Sequence, residues 1–226
     1  PNVEPRRGGG AVDMLILHYT GMASAEAARD RLCDASSGVS CHYLVDTDGS
    51  ITQMVGEELR AWHAGASCWK GETDTNSRSI GIEIHNPGHW LGYSEFPEAQ
   101  MAAVAELCRD ILSRHNIPAE HVLAHSDVAP GRKIDPGEKF DWHLLWLRGI
   151  GRWVEPAPPD PELLGSREIA RLQSLLAEYG YGIAVTGEMD EQTRKVTDAF
   201  QRHFHQASVT GVPDRSVLAT AERLVG

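Results

Sequence analysis

Four consecutive apolar residues, Met14-Leu15-Ile16-Leu17, lead directly into His18. A strand apolar at every position must be covered on both faces, which points to an interior strand of an α/β sheet. The run Val122-Leu123-Ala124 before His125 has the same form. Ligands in open α/β sheets collect outside the carboxyl ends of the strands, where both histidines would emerge. Asp135 lies ten residues beyond His125, in the Pro-punctuated segment APGRKIDPG. Two imidazoles and one carboxylate can make a three-ligand zinc site with an open fourth position. Plainer readings stand beside that one. Either histidine can be a hydrogen-bonded structural residue, Asp135-Pro136 a turn opener, and Lys133 a solvated charge.

Other segments fill in the architecture. Residues 42–47 and 51–55 are β-rich and joined by Asp48-Gly49, a hairpin signal. A short strand leads into Trp62-His63-Ala64-Gly65, and 67–78 reads as a loop. Ile80, Ile82 and Ile84 alternate with Gly81 and Glu83, so a strand there turns Glu83 away from the isoleucines. Pro97 opens a helix whose apolar stripe is Met101, Val104, Cys108, Ile111 and Leu112. Residues 155–161 (EPAPPDP) read as a linker, dividing a first domain, 1–154, from a second, 162–226. In the second, Ile169, Leu172, Leu175, Leu176 and Tyr179 share one helical face, Asp190 can cap another helix, and 214–224 suits a third. The expected fold class is α/β, a mixed central sheet flanked by helices, plus a small three-helix bundle.

Acidic residues outnumber basic ones, 32 against 21, and the net charge is −11. That excludes nucleic acid as the main partner, which requires clustered Lys and Arg. No run approaches the ~20 apolar residues of a membrane span. Cys33, Cys41, Cys68 and Cys108 lack metal-site or redox-pair spacing. Reduced thiols favour the cytoplasm over the periplasm or cell envelope. Oligomeric state leaves no mark in the sequence.

Residues 17–20 (LHYT), 40–49 (SCHYLVDTDG), 61–65 (AWHAG), 79–84 (SIGIEI) and 121–137 together carry a resemblance. Over roughly residues 11–154 the chain resembles the bacterial zinc-dependent N-acetylmuramoyl-L-alanine amidases of the AmpD/AmiD type. The resemblance implies one zinc ion on His18, His125 and Asp135, with Glu83 as the catalytic carboxylate and Lys133 as the transition-state cation. It implies hydrolysis of the amide between N-acetylmuramic acid and L-alanine, in muropeptides or murein. Beyond the linker, LQSLLAEYGY, TGEMDEQT and AFQRHF resemble the peptidoglycan-binding three-helix domain that accompanies cell-wall hydrolases. Trp62, His63, Ala64 and Trp69 are expected along the substrate groove. Asp127 admits two readings, a turn residue or an orienter of a ligand imidazole. His42 reads as structural, and His121, His143, His203 and His205 as ordinary. Two other functions compete: a recognition module that binds peptidoglycan without cutting it, and a zinc peptidase acting within the stem peptide.

Overall fold

In the computed structural model, which describes residues 1–9 and 11–226, Met14–Tyr19 forms β2, a strand paired on both edges. Strand β1 (Val3–Pro5) precedes it; α1 (Ala25–Cys33), β3 (Tyr43–Val45), β4 (Ile51–Gln53) and β5 (Leu59–Ala61) follow. Next come α2 (Thr75–Arg78), β6 (Ser79–Ile84), α3 (Glu98–Arg114), β7 (Val122–Ala124), α4 (His125–Val128) and α5 (Trp142–Leu147). Three helices complete the chain: α6 (Ser166–Tyr179), α7 (Glu191–Phe204) and α8 (Arg215–Val225). The stretch expected as loop at 67–78 contains the single helical turn α2. None of the described helices is long and apolar enough to cross a membrane.

The five-stranded sheet runs β4-β3-β6-β2-β7. Strands β3, β6, β2 and β7 are mutually parallel, and β4 joins antiparallel to β3 through the Asp48-Gly49 hairpin. Parallel strands are buried on both faces, which explains why β2 carries no polar alternation. Its side chains divide by parity. Leu15 and Leu17 join Ile80, Ile82, Ile84 and the α3 stripe Met101, Val104, Cys108 and Ile111 in one core. Met14 and Ile16 join Leu123, Val128, Leu172, Leu176, Val196 and Phe200 in the other. The three carboxy-terminal helices therefore share a core with the sheet. The Pro-dense segment follows the same surface: Ala157 is buried and its N–H donates to Thr220 Oγ1 at 2.9 Å. It packs as a strap, which a free spacer would not do.

One partly exposed polar knot ties the far end of the sheet to α3. Glu57 accepts from Tyr43 Oη (2.6 Å), Arg114 (2.7 Å) and His115 Nε2 (2.7 Å). Burial opposes ionisation, yet Arg114, Tyr43 and His115 hold the carboxyl down to about 2. Its ordinary value is 4.5, so the unfolded chain binds the proton more readily. The stability from this shift, about 2 kcal/mol after solvent screening, is complete above pH ~4.5 and lost as pH falls toward 2. Glu57→Gln is expected to lower the unfolding free energy at pH 7 by that amount. Near pH 2 the variant and parent should converge in urea melts; equal loss at both pH values would contradict this account.

Candidate active site

The carboxyl ends of β2, β6 and β7 converge on one cleft. His18 continues the parity of Met14 and Ile16, and in the parallel register it lies beside Glu83 of β6. His125 is the first residue after β7, at the start of α4. Asp135 returns on the following loop, whose Asp135 carbonyl accepts the Ser126 N–H at 3.0 Å. All three side chains are buried.

Their polar atoms face one another. His18 Nδ1 lies 2.9 Å from His125 Nδ1 and 3.1 Å from Asp135 Oδ2, and His125 Nδ1 lies 3.0 Å from the same oxygen. These residues form a group able to hold a metal ion. Ligands of a tetrahedral ion with bonds of 2.0–2.1 Å stand about 3.3 Å apart, so the donors present fit such an ion. Burial, then His125, holds the His18 imidazole down to about 4. Burial disfavours the Asp135 carboxylate, but His125 and His18 hold it far below the ordinary range. Neutral imidazole and ionised carboxylate are the ligating forms.

The groups behind the ligands fix their tautomers. His125 Nε2 donates to the Ala64 carbonyl at 3.0 Å, leaving Nδ1 bare toward the site. His18 Nε2 donates to His63 Nδ1 (3.0 Å), and His63 Nε2 donates to Ser79 Oγ (3.1 Å). His63 rests on β6 at Gly81, where a Cβ would come within 2.4 Å of the imidazole, so only glycine fits. His42 accepts the Gly81 N–H at Nδ1 (2.9 Å) and contacts the Leu59 carbonyl through Nε2 (3.1 Å), a structural role.

Glu83 and Lys133 complete the cleft, which has a volume of about 480 Å³. Glu83 Oε2 is buried and has no hydrogen-bond partner among the described residues. Burial first, then the Asp135 carboxylate, push its carboxyl up to about 8, against the pull of Lys133. A half-buried acid with a covered, unpartnered oxygen at the mouth of a donor set is poised for proton transfer.

The four residues expected along the groove separate. His63 lines the cleft but is hydrogen-bonded behind His18. Ala64 is buried and acts through its carbonyl. Trp62 is half-buried and is not among the cleft-lining residues. The expectation for Trp69 is wrong: it has no exposed surface and packs edge-on against Tyr179 and Tyr181 at 5.6 and 5.1 Å. Its loop folds against the end of α6, so the indole serves the shared core and offers no face to sugar or peptide. Among the cleft residues that escaped the sequence reading are Arg31 and Leu32 from α1, and Trp90. Trp90 is 87% exposed, and its setting in NPGHWLG, directly after the Glu83 strand, was the available signal.

A mixed-sheet hydrolase with a buried His-His-Asp metal set and a neighbouring glutamic acid is the class that this fold and site define. The sequence profile of the N-acetylmuramoyl-L-alanine amidases matches residues 8–138, and that of a putative peptidoglycan-binding domain matches 165–220. The chain belongs to this amidase family. It is 38% identical over 231 residues to the N-acetylmuramoyl-L-alanine amidase AmiD of Escherichia coli, covering 95% of this chain and 82% of that one. The 1,6-anhydro-N-acetylmuramyl-L-alanine amidase AmpD of Escherichia coli is 41% identical over 104 residues, 46% of this chain and 55% of that one. Among solved structures, AmiD in complex with anhydro-N-acetylmuramic acid-L-Ala-D-γ-Glu-L-Lys superposes with a TM-score of 0.83 at 36% identity, covering 98% of this chain and 91% of that one. AmpDh3 from Pseudomonas aeruginosa gives 0.82 at 30%, covering 98% and 94%.

Proposed function

We propose that the chain holds one zinc ion on His18, His125 and Asp135 and hydrolyses the amide joining N-acetylmuramic acid, or its 1,6-anhydro form, to L-alanine. The observation that carries this is the placement of Glu83, a half-buried acid whose covered Oε2 has no partner among the described residues, in register with His18 at the rim of the donor set. Zinc bound there supplies Lewis acidity, which acidifies a water and polarises a carbonyl. Glu83 takes a proton from the attacking water. It then delivers a proton to the departing nitrogen. The water oxygen bonds to the lactyl carbonyl carbon as the carbon–nitrogen bond breaks, and the products are a muramic acid and a free peptide amine. Lys133, on the loop restricted by Pro130 and Pro136, stabilises the developing oxyanion with its side-chain amine in the charged form. Residues 162–226 form the unit that grips peptidoglycan.

Mass analysis of an anhydromuramyl-tripeptide after incubation tests the reading, with zinc-loaded and chelated protein side by side. Free tripeptide plus sugar acid is expected, lost on chelation and restored by zinc. A shortened peptide still attached to sugar would make the protein a peptidase. An intact substrate that binds would make it a recognition module.

A further inference from the structure

His203, which looked ordinary in the sequence, lies in a fully buried polar cluster outside the cleft. At its centre is Asp127, two residues after His125 and 0% exposed. Its Oδ2 accepts the Ala124 N–H at 2.8 Å and His203 Nδ1–H at 2.7 Å. Its Oδ1 accepts the Tyr181 hydroxyl at 2.6 Å. One carboxylate thus closes the turn that presents His125 and binds two residues of the carboxy-terminal region, Tyr181 just after α6 and His203 on α7. His203 is 1% exposed and stacked between Trp142 and Phe204, at 3.8 and 3.9 Å between ring centroids. Its Nε2 has no hydrogen-bond partner among the described residues, and Nδ1 is the nitrogen turned to the carboxylate.

Helix α7 touches the rest of the same loop. At Gly131 a Cβ would come within 2.4 Å of Lys195 Cδ, so the loop backbone lies directly on the lysine methylenes. Arg202 pairs with Glu138, just past Asp135, and with Asp198 on its own helix at 2.8 Å. The segment carrying His125, Lys133 and Asp135 is therefore backed by α7 at Asp127, Gly131 and Glu138.

We propose that the carboxy-terminal bundle is part of the scaffold of the metal site, with Asp127 the positioning residue that locks the His125 turn to Tyr181 and His203. This rests on His125 being a metal ligand. A ligand whose backbone turn is fixed loses little freedom on binding the ion, and groups outside the ligand set commonly contribute that fixation. The bundle then has a second task besides wall binding, and the two tasks are separable by mutation.

His203→Phe and Tyr181→Phe in the full chain test this. The phenylalanine at 203 keeps the stacking on Trp142 and Phe204 but removes the donor to Asp127. Zinc affinity, read by competition with a chromophoric chelator, is expected to weaken about 10- to 100-fold. The visible spectrum of the cobalt-substituted protein should shift, and kcat should fall with KM unchanged. His203→Asn, which restores an N–H near the Nδ1 position, should recover much of the affinity. Parental zinc affinity and an unaltered cobalt spectrum in both phenylalanine variants would overturn the proposal, whatever their melting temperatures. Should His203→Phe fail to fold, Tyr181→Phe, which loses a single hydroxyl, decides on the same two readouts. Both are measured without substrate, so they stand even if the amidase reading fails.

Discussion

Glu83→Gln is expected to lower kcat by about 10³-fold while the protein still binds one zinc and still binds muropeptide. General acid–base groups contribute 10²–10⁴-fold, and here one residue serves both the water and the leaving nitrogen. Glutamine keeps the shape of the side chain and removes only its proton chemistry, so KM should hold. A second consequence concerns stability. The Glu83 carboxyl stands at about 8 against an ordinary 4.5, so between those values the folded chain binds more protons than the unfolded one. Stability of the metal-free protein therefore falls as pH rises through that window. The variant lacks this penalty and should melt at a higher temperature than the parent at pH 8 without zinc. Retained turnover in Glu83→Gln would remove this residue from the mechanism.

Asp135→Ala is expected to abolish turnover by a different route, through loss of the ion. Asp135 Oδ2 lies 3.1 and 3.0 Å from the two imidazole nitrogens, and without it only two imidazoles remain as ligands. A missing Lewis acid is worth several kcal/mol of transition-state stabilisation, on the order of 10³-fold or more in rate. Metal analysis after dialysis separates the two variants: Glu83→Gln should retain zinc and Asp135→Ala should not. Zinc at full stoichiometry in Asp135→Ala would show that the ion sits elsewhere.

The sequence by itself determined much of this protein. An all-apolar strand before His18, the Glu83 parity within Ile80–Ile84, and the Asp48-Gly49 hairpin are local patterns, and local patterns survive without knowledge of the partners. The resemblance to the amidases then identified His18, His125 and Asp135 as a set, which spacing alone left open. Only the tertiary structure decided which side chains face the cleft. Trp69 looked like a sugar platform because aromatic residues in loops often are, yet its loop meets Tyr179 and Tyr181 more than a hundred residues later in the chain. Trp90 took the exposed position at the cleft. Likewise His203 carries no local signal, since its meaning depends on Asp127 arriving 76 residues away in sequence. The Pro-dense segment marks a boundary in the chain but not in the core, because Met14 and Ile16 need a cover and the carboxy-terminal helices supply it. Burial pattern along a strand is written in its own residues; the identity of what covers it is settled only when distant segments compete for the same apolar face.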